Sequence, residues 1–273
     1  MKTPEISPGL DALGEDLLLL AIRPNGTVGS AAKIDYGLMG SELVRLAAAG
    51  RVDIAGDRII VRAAGPTGDP ELDGALGSVA AARKPPRPKH WVGHPRKHIR
   101  DAYLSRLVSA GALSPDRGGL FGQRRYRVAD EGRVAAARAR LDAIAHSQGP
   151  VDVTSAAVGG LAHAVGLDHL IYPGFGARPL RKRLAEIAAG KSTAPAPGGA
   201  SVTAAAAAVS RAAADAAVDA AVAAATDAAT QAAMDAAVQA AVHAATAAAT
   251  EAAVHAAHDA SAHASGGAGA GHH

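Results

Sequence analysis

The stretch YGLMGSELVRLAAAGRVDIAGDRIIVR (Tyr36–Arg62) decides the fold. Its first half places Leu38, Leu43, Leu46 and Ala47 on helical spacing and stops at Gly50, a residue suited to closing a helix in the left-handed conformation. Its second half holds two short β runs, RVDIAG and DRIIVR, turned around Gly56-Asp57. The same order returns downstream: an amphipathic pattern from Pro95 to Ala110, with Ile99, Tyr103, Leu104 and Leu107 apolar, precedes a second hairpin, GGLFGQRRYRV (Gly118–Val128). Around these two units the chain reads as helix. Leu10, Leu13, Leu17, Leu18 and Ala21 are in phase and end at the turn Pro24-Asn25-Gly26, and Leu72, Leu76 and Val79 are in phase over Pro70–Arg83. Further helices fit Asp130–His146, Val153–Val165 and Pro179–Ala189. The spacing predicts a mainly α, compact helical domain with two small β-hairpins over residues 1–190.

Composition bounds the rest. Of 273 residues 49% are hydrophobic but only 3% aromatic, so the core must be built from Leu, Val, Ile and Ala. With no cysteine, disulfide scaffolds, thiolate metal sites and Cys nucleophiles are excluded. The densest apolar patch, Leu17–Ile22, falls far short of the roughly 20 residues of a membrane-spanning helix. The opening MKTPEISPGL has no apolar core behind a basic stretch, so it does not read as a signal peptide and a cytoplasmic chain is expected. Near Gly190 the composition shifts to a Pro/Gly/Ala linker (191–202, beginning KSTAPAPGGAS), followed by an alanine-rich tail (203–273). The tail is a tetrapeptide array of the DAAV, QAAV and HAAT kind from Asp215 to His258. Alanine favours helix, but a four-residue repeat drifts about 40° per repeat around an α-helix. No lasting apolar face results, and a helical or disordered extension that does not dock on the body is expected. Residues 1–190 hold 26 Lys and Arg against 19 Asp and Glu, whereas the remainder holds 2 against 6. A basic body of this kind meets anions.

The densest chemical signal is RKPPRPKHWVGHPRKHIR (Arg83–Arg100), with seven Lys/Arg, three His and no acidic residue. Pro85, Pro86 and Pro88 are expected to keep its first half extended. Its second half enters the helix at Pro95, with Lys97 and Arg100 one turn apart on one face and Arg96 beside them, an arrangement that can grip one phosphate. Trp91, the only Trp, can settle at a lipid headgroup, stack on a base or close the core, and spacing leaves these three open. His90, His94 and His98 recur every four residues, but Pro95 breaks a continuous helix through them and no carboxylate lies among them, so no metal site is expected. GDPELDGALGS (Gly68–Ser78) lacks the GK[ST] ending of a phosphate-binding loop, and no GxSxG, HExxH or paired-carboxylate arrangement stands out. Neither an enzyme nor a cofactor is expected.

GSELVRLAAAGRV (Gly40–Val52), PTGDPELDGAL (Pro66–Leu76) and RDAYLSRLVSAGAL (Arg100–Leu113), with LLLLAIRPNGTVGSA (Leu17–Ala31) and GGLAHAVGL (Gly159–Leu167) in the same order, resemble the Golgi phosphoprotein 3 family. The resemblance spans Leu10–Ala189, and the alanine-, arginine- and glycine-rich wording is that of a high-GC bacterium. It implies a helical domain that binds phosphatidylinositol 4-phosphate at a basic surface pocket. A hydrophobic hairpin beside the pocket contacts the membrane and supports self-association, and the protein collects cytoplasmic tails of membrane proteins. The family's two basic residues, one turn apart before the hairpin, match Lys97 and Arg100. Two family positions depart here, a tryptophan falling near Ser30 and an arginine on Met39, so another anionic lipid stands beside the phosphoinositide as ligand. The hairpin matches Gly118–Val128, with Leu120 and Phe121 as inserting side chains; apart from the resemblance, the headgroup reading of Trp91 makes it a further membrane contact.

Charge supports a peripheral membrane protein on the cytoplasmic face independently. Basic residues at an acidic bilayer contribute about 1 kcal/mol each, and a buried Leu or Phe adds about 1.5–3 kcal/mol. The main rival is a winged-helix-like nucleic-acid binder, since helix, glycine and hairpin occur twice and Arg124, Arg125 and Arg127 would load the second wing. Against it, Pro95–Ala110 carries no Asn or Gln to read base edges. A scaffold for protein tails that binds no lipid is the third reading.

Overall fold

The structure, a computed structural model, describes residues 9–29, 31–116 and 124–192 and, within the alanine-rich segment, 207–209, 211–212, 234 and 238–239. The chain divides into two compact units, Met1–Ala220 and Ala221–His273. In the second, the described residues Met234, Val238 and Gln239 are helical and exposed.

In the first unit the described elements follow the order α1 (Leu13–Ala21), α2 (Ala31–Ala48), β1 (Val52–Ala55), β2 (Arg58–Val61), α3 (Pro70–Ala80), α4 (Pro88–Val92), α5 (Ile99–Ser109), β3 (Leu113–Asp116), β4 (Arg125–Val128), α6 (Glu131–Ala145), α7 (Val153–Ala164), α8 (Leu167–Ile171) and α9 (Arg178–Ala188). This is the mainly α fold with two small hairpins that the hydrophobic spacing predicts.

Helix α1, LGEDLLLLA, is buried along its whole length, including its two acids: Glu15 meets Arg106 and Arg133, and Asp16 meets Arg140, as enclosed carboxylates require. It packs against α2, α5, α6 and α8, and α2 in turn reaches α3, α4, α5 and α7, so these two helices form the centre of the unit. The small residues of YGLMG make that possible. A methyl group on Gly37 would come within 2.8 Å of Val165, and one on Gly40 within 2.7 Å of Leu161 and 2.9 Å of Val209. Those contacts lie well inside van der Waals distance, so glycine is what lets neighbouring chain approach the α2 backbone.

Both hairpins are antiparallel, pairing Val52 with Val61 and Ala55 with Arg58 in the first, and Leu113 with Val128 and Asp116 with Arg125 in the second. The first carries the proline loop on its flank: Ile59 N–H donates to the Pro86 carbonyl at 2.9 Å and Arg58 Nη1 to that of Pro85 at 2.9 Å. The second is tied to the α1–α2 turn, where Tyr126 N–H donates to Gly26 O at 2.8 Å.

Several details differ from the expectation: α2 begins at Ala31 rather than Tyr36, and Leu167–Ile171 forms the short helix α8. The helix expected from Pro95 starts only at Ile99, because His98 adopts a left-handed conformation at φ 62 and breaks the helical path. Pro88–Val92, expected to be extended, forms the short helix α4, with Pro88 in its first turn where a missing N–H costs nothing. The second hairpin begins earlier than expected, at Leu113; its tip, 117–123, lies outside the described residues. Finally, the start of the alanine-rich segment does dock: Val209 (0% exposed) and Ala212 (3%) join the hydrophobic core. The four-residue drift forbids a long seam, yet a single turn needs only one or two apolar side chains on one side.

Candidate functional site

The motif PTGD (Pro66–Asp69) is local engineering for the start of α3. Asp69 accepts from the backbone N–H of Glu71 at 2.9 Å, Pro70 takes the first helical position, and Thr67 donates through N–H (2.6 Å) and Oγ1 (2.7 Å) to Asp73. The same Asp69 carboxylate receives Arg45 Nη2 of α2 at 2.8 Å and Arg106 Nη1 of α5 at 3.0 Å. Burial opposes its ionisation, but hydrogen bonds and charge from Arg45 and Arg106 overcome that and hold the carboxyl below its usual range. Arg106 also pairs with Glu15 of α1 at 3.0 Å, and Glu15 receives Arg133 of α6. A chain of ion pairs thus fixes α2, α3, α5, α1 and α6 beneath the basic loop.

Over this frame lies a cavity of ≈ 540 Å³ whose wall includes Met39, Arg58, Lys84, Arg87, His90, Trp91, His94 and Arg96. Arg83–Arg100 supplies most of this wall, with Arg58 of β2 and Met39 of α2 beside it; the lining is mainly apolar, and Arg58, Lys84, Arg87 and Arg96 are its cations. Its rim is not uniformly available. Arg87 Nε pairs with Asp57 at 2.6 Å, whereas Arg83 and Lys84 are exposed and form no ion pair among the described residues. His90 and His94 stack with ring centroids 4.3 Å apart, and His94 Nδ1 lies 2.7 Å from the His90 carbonyl. His98 turns instead to Asp101 at 3.2 Å, so the three histidines do not converge.

The cations expected to grip a phosphate separate into different roles. Arg96 is directed into the protein: its guanidinium makes a two-pronged bond to Glu42, with Nη2 at 2.8 Å from Oε1, and lies 3.3 Å from Glu71. Arg96, expected beside Lys97, thus bridges α2 and α3 and lines the cavity. Lys97 stands exposed in the turn before α5, and it carries no ion pair among the described residues. Arg100 occupies the first turn of α5, with Nε 3.6 Å from Asp35 Oδ1. Because His98 interrupts the helix, Lys97 and Arg100 do not share a helical face as the spacing predicts; they flank a left-handed residue, and such strained backbone concentrates at functional sites. Trp91, expected at the membrane, is 7% exposed, and its indole N–H donates to Ser78 Oγ at 3.0 Å. The indole closes the core because this polar edge finds a partner there. Met39, where the family carries arginine, is buried beside the same cavity. Leu120, Phe121 and Ser30 lie outside the described residues.

Two acidic residues that sequence reading passed over sit in the site. Glu42 is fully buried; burial pushes its carboxyl up to about 7, a rise that the bond and charge of Arg96 only partly offset. Burial likewise raises Asp35, with Arg100 opposing the rise. For Glu42 a signal exists in the sequence: it falls four residues after Leu38 and four before Leu46, on the apolar stripe of α2, where an acid must find a cation. Asp35, near the start of α2, carries no such mark.

The Golgi phosphoprotein 3 (GPP34) family model matches residues 13–216. The chain belongs to the Golgi phosphoprotein 3 family. The match runs past the linker and takes in Val209 and Ala212, which the structure packs into the core of the first unit. No curated protein matches the sequence. Among the described residues, no helix of this family member is long and apolar enough to cross a membrane.

Proposed function

We propose that this Golgi phosphoprotein 3 family member is a peripheral membrane adaptor, not an enzyme, that binds an anionic phospholipid headgroup, phosphatidylinositol 4-phosphate or a bacterial acidic lipid. The observation that carries the reading is Lys97, exposed and free of ion pairs among the described residues, which follows Arg96 in the chain; Arg96 lines the cavity together with Arg58, Lys84 and Arg87, whereas Lys97 and Arg100 are not among the residues that line it. Lys97 and Arg100 hold the lipid phosphate, Lys84 and the stacked His90–His94 pair border the headgroup, and Leu120 and Phe121 enter the bilayer. Arg96 holds the floor through Glu42 rather than meeting the lipid. Asp35 competes with the phosphate for Arg100, so binding exchanges one anion for another and favours a doubly charged or multiply hydrogen-bonding headgroup. Cytoplasmic tails of membrane proteins are the clients of such an adaptor, and hairpin 118–128 is its self-association element.

The nucleic-acid reading keeps one supporting observation, the repeated order α2–β1–β2 and α5–β3–β4. The wing cations Arg124 and Arg127, however, already lie 3.4 Å from Asp101 and 3.9 Å from Asp116. Co-sedimentation of the full chain with phosphatidylcholine, phosphatidylglycerol, cardiolipin and phosphatidylinositol 4-phosphate vesicles, beside a duplex DNA control, tests the proposal. Binding to acidic vesicles is expected to fall about thirtyfold in the Lys97→Ala/Arg100→Ala protein, two charges at about 1 kcal/mol each. Undiminished vesicle binding in that variant would sink the site, and salt-sensitive DNA binding without vesicle binding would sink the function.

A further inference from the structure

The chain has two phenylalanines, both beside glycines: Phe121 in GGLFG (Gly118–Gly122) and Phe175 in PGFG (Pro173–Gly176). Phe175 lies in the connection from α8 to α9 and is 92% exposed, and Leu170 near the end of α8 is 42% exposed. In a chain so poor in aromatic residues, with Tyr103, Tyr126, Tyr172 and Trp91 buried, a ring left in water is informative.

The turn that carries it is built rather than slack. Arg181 Nη1 donates to the carbonyl of Tyr172 and, at 2.9 Å, to that of Gly174, and Arg178 N–H donates to Phe175 O at 3.0 Å. Tyr172, just before the turn, is buried and donates its hydroxyl to Asp142 at 2.5 Å. The ring is therefore held away from the core by bonds to the backbone on both sides of it.

The surroundings are cationic. His169–Ala185 contains Arg178, Arg181, Lys182 and Arg183 and no acidic residue. Arg178 is exposed and forms no ion pair among the described residues, and the Lys182 ammonium, also exposed, meets Glu186 only at 3.9 Å. Helix α9 buries Leu184, Ile187 and Ala188 and leaves these two cations in solvent. An exposed apolar side chain followed by the exposed cations Arg178, without an ion pair among the described residues, and Lys182, which meets only Glu186, suits a soft acidic surface. A protein groove would instead be matched by an apolar face with paired charges at its edge.

We propose that the α8–α9 turn is a second membrane anchor, in which Phe175 and Leu170 enter the headgroup region of an acidic bilayer while Arg178 and Lys182 lie among its phosphates. The proposal rests on the membrane reading above and extends it to a surface formed by other elements.

Two variants of the full chain test it with phosphatidylglycerol vesicles. Phe175→Ser, which removes no buried contact, is expected to keep its Tm and to lose at least about tenfold in vesicle partitioning. In Phe175→Trp the added indole is expected to be quenched by brominated phosphatidylglycerol, while Trp91 of the parent protein, enclosed in the core, is not. Unchanged partitioning of Phe175→Ser, or an unquenched added indole, overturns the second anchor while the Lys97/Arg100 site stands. Failure of the parent protein to bind any acidic vesicle overturns both.

Discussion

Glu42 shows how one side chain ties stability to pH. Its side chain is fully buried and its carboxyl titrates near 7 rather than 4.5, so between those values the folded chain holds a proton that the unfolded chain has released. The sign follows: stability from this group is full below pH 4.5, falls as pH rises toward 7, and is level above. Over that window the loss amounts to about 3 kcal/mol. Comparing denaturant unfolding of the parent protein and Glu42→Gln at pH 4.5, 6 and 7.5 should show the parent declining relative to the variant. Parallel profiles would mean that Arg96 keeps Glu42 ionised throughout. At this scale the sequence was legible in part. An acid on the stripe of Leu38 and Leu46 announces a buried partner, but nothing in the order of residues says that Arg96, 54 positions away, supplies it. Lys97 and Arg96 are adjacent cations of similar reach; only packing against α2 turns one inward and leaves the other in water.

Among the elements, Asp69 is where three helices meet. It caps α3 and receives Arg45 from α2 and Arg106 from α5, and Arg45 is almost wholly buried, with Nε and Nη1 lacking hydrogen-bond partners. Removing the carboxylate strands that cation. Asp69→Ala is therefore expected to destabilise the fold by about 3 kcal/mol or more, beyond the roughly 1 kcal/mol of a lost cap. Asp69→Asn keeps an acceptor for the cap and should fall between. Urea midpoints separate these outcomes, and a loss of only about 1 kcal/mol for Asp69→Ala would mean that Arg45 finds another partner. Element type was readable from spacing for α1, α2, α3, α5, α6, α7 and α9, because each keeps an apolar stripe in phase. The misplaced start of α5 and the missed α4 and α8 have a common cause. Five-residue helices are too short to show a period, and a left-handed histidine cannot be read from composition.

For the whole molecule, the boundary of the folded unit lies beyond the change in composition. Val209 and Ala212 are buried in the unit that runs to Ala220, Val209 against Gly40 of α2. A chain ending after Ser192 loses that contact, whereas one ending after Ala220 keeps it. Thermal unfolding should place the longer chain near the full-length protein and the shorter one lower by about 2 kcal/mol, the contribution of one buried valine with its neighbours. Equal Tm values for the two truncations would show that the docked turn adds nothing. The charge of the body belongs to this scale too: the excess of Lys and Arg over Asp and Glu in residues 1–190 is spread over the basic loop and α9, so binding to acidic vesicles should weaken with salt.

By itself, the sequence determined the class of fold, the two hairpins, the family and the basic character of the first unit, because periodicity, glycine stops and net charge are properties of neighbouring residues. Tertiary structure decided which charges remain in water. Arg96 is matched by Glu42, Arg100 by Asp35 and Arg106 by Asp69, each from a distant part of the chain, while Lys97, Arg178 and the ring of Phe175 are left facing solvent. A cation buried without a carboxylate is prohibitively costly, so folding assigns partners to those that packing encloses and leaves the others at the surface, where an external anion can meet them.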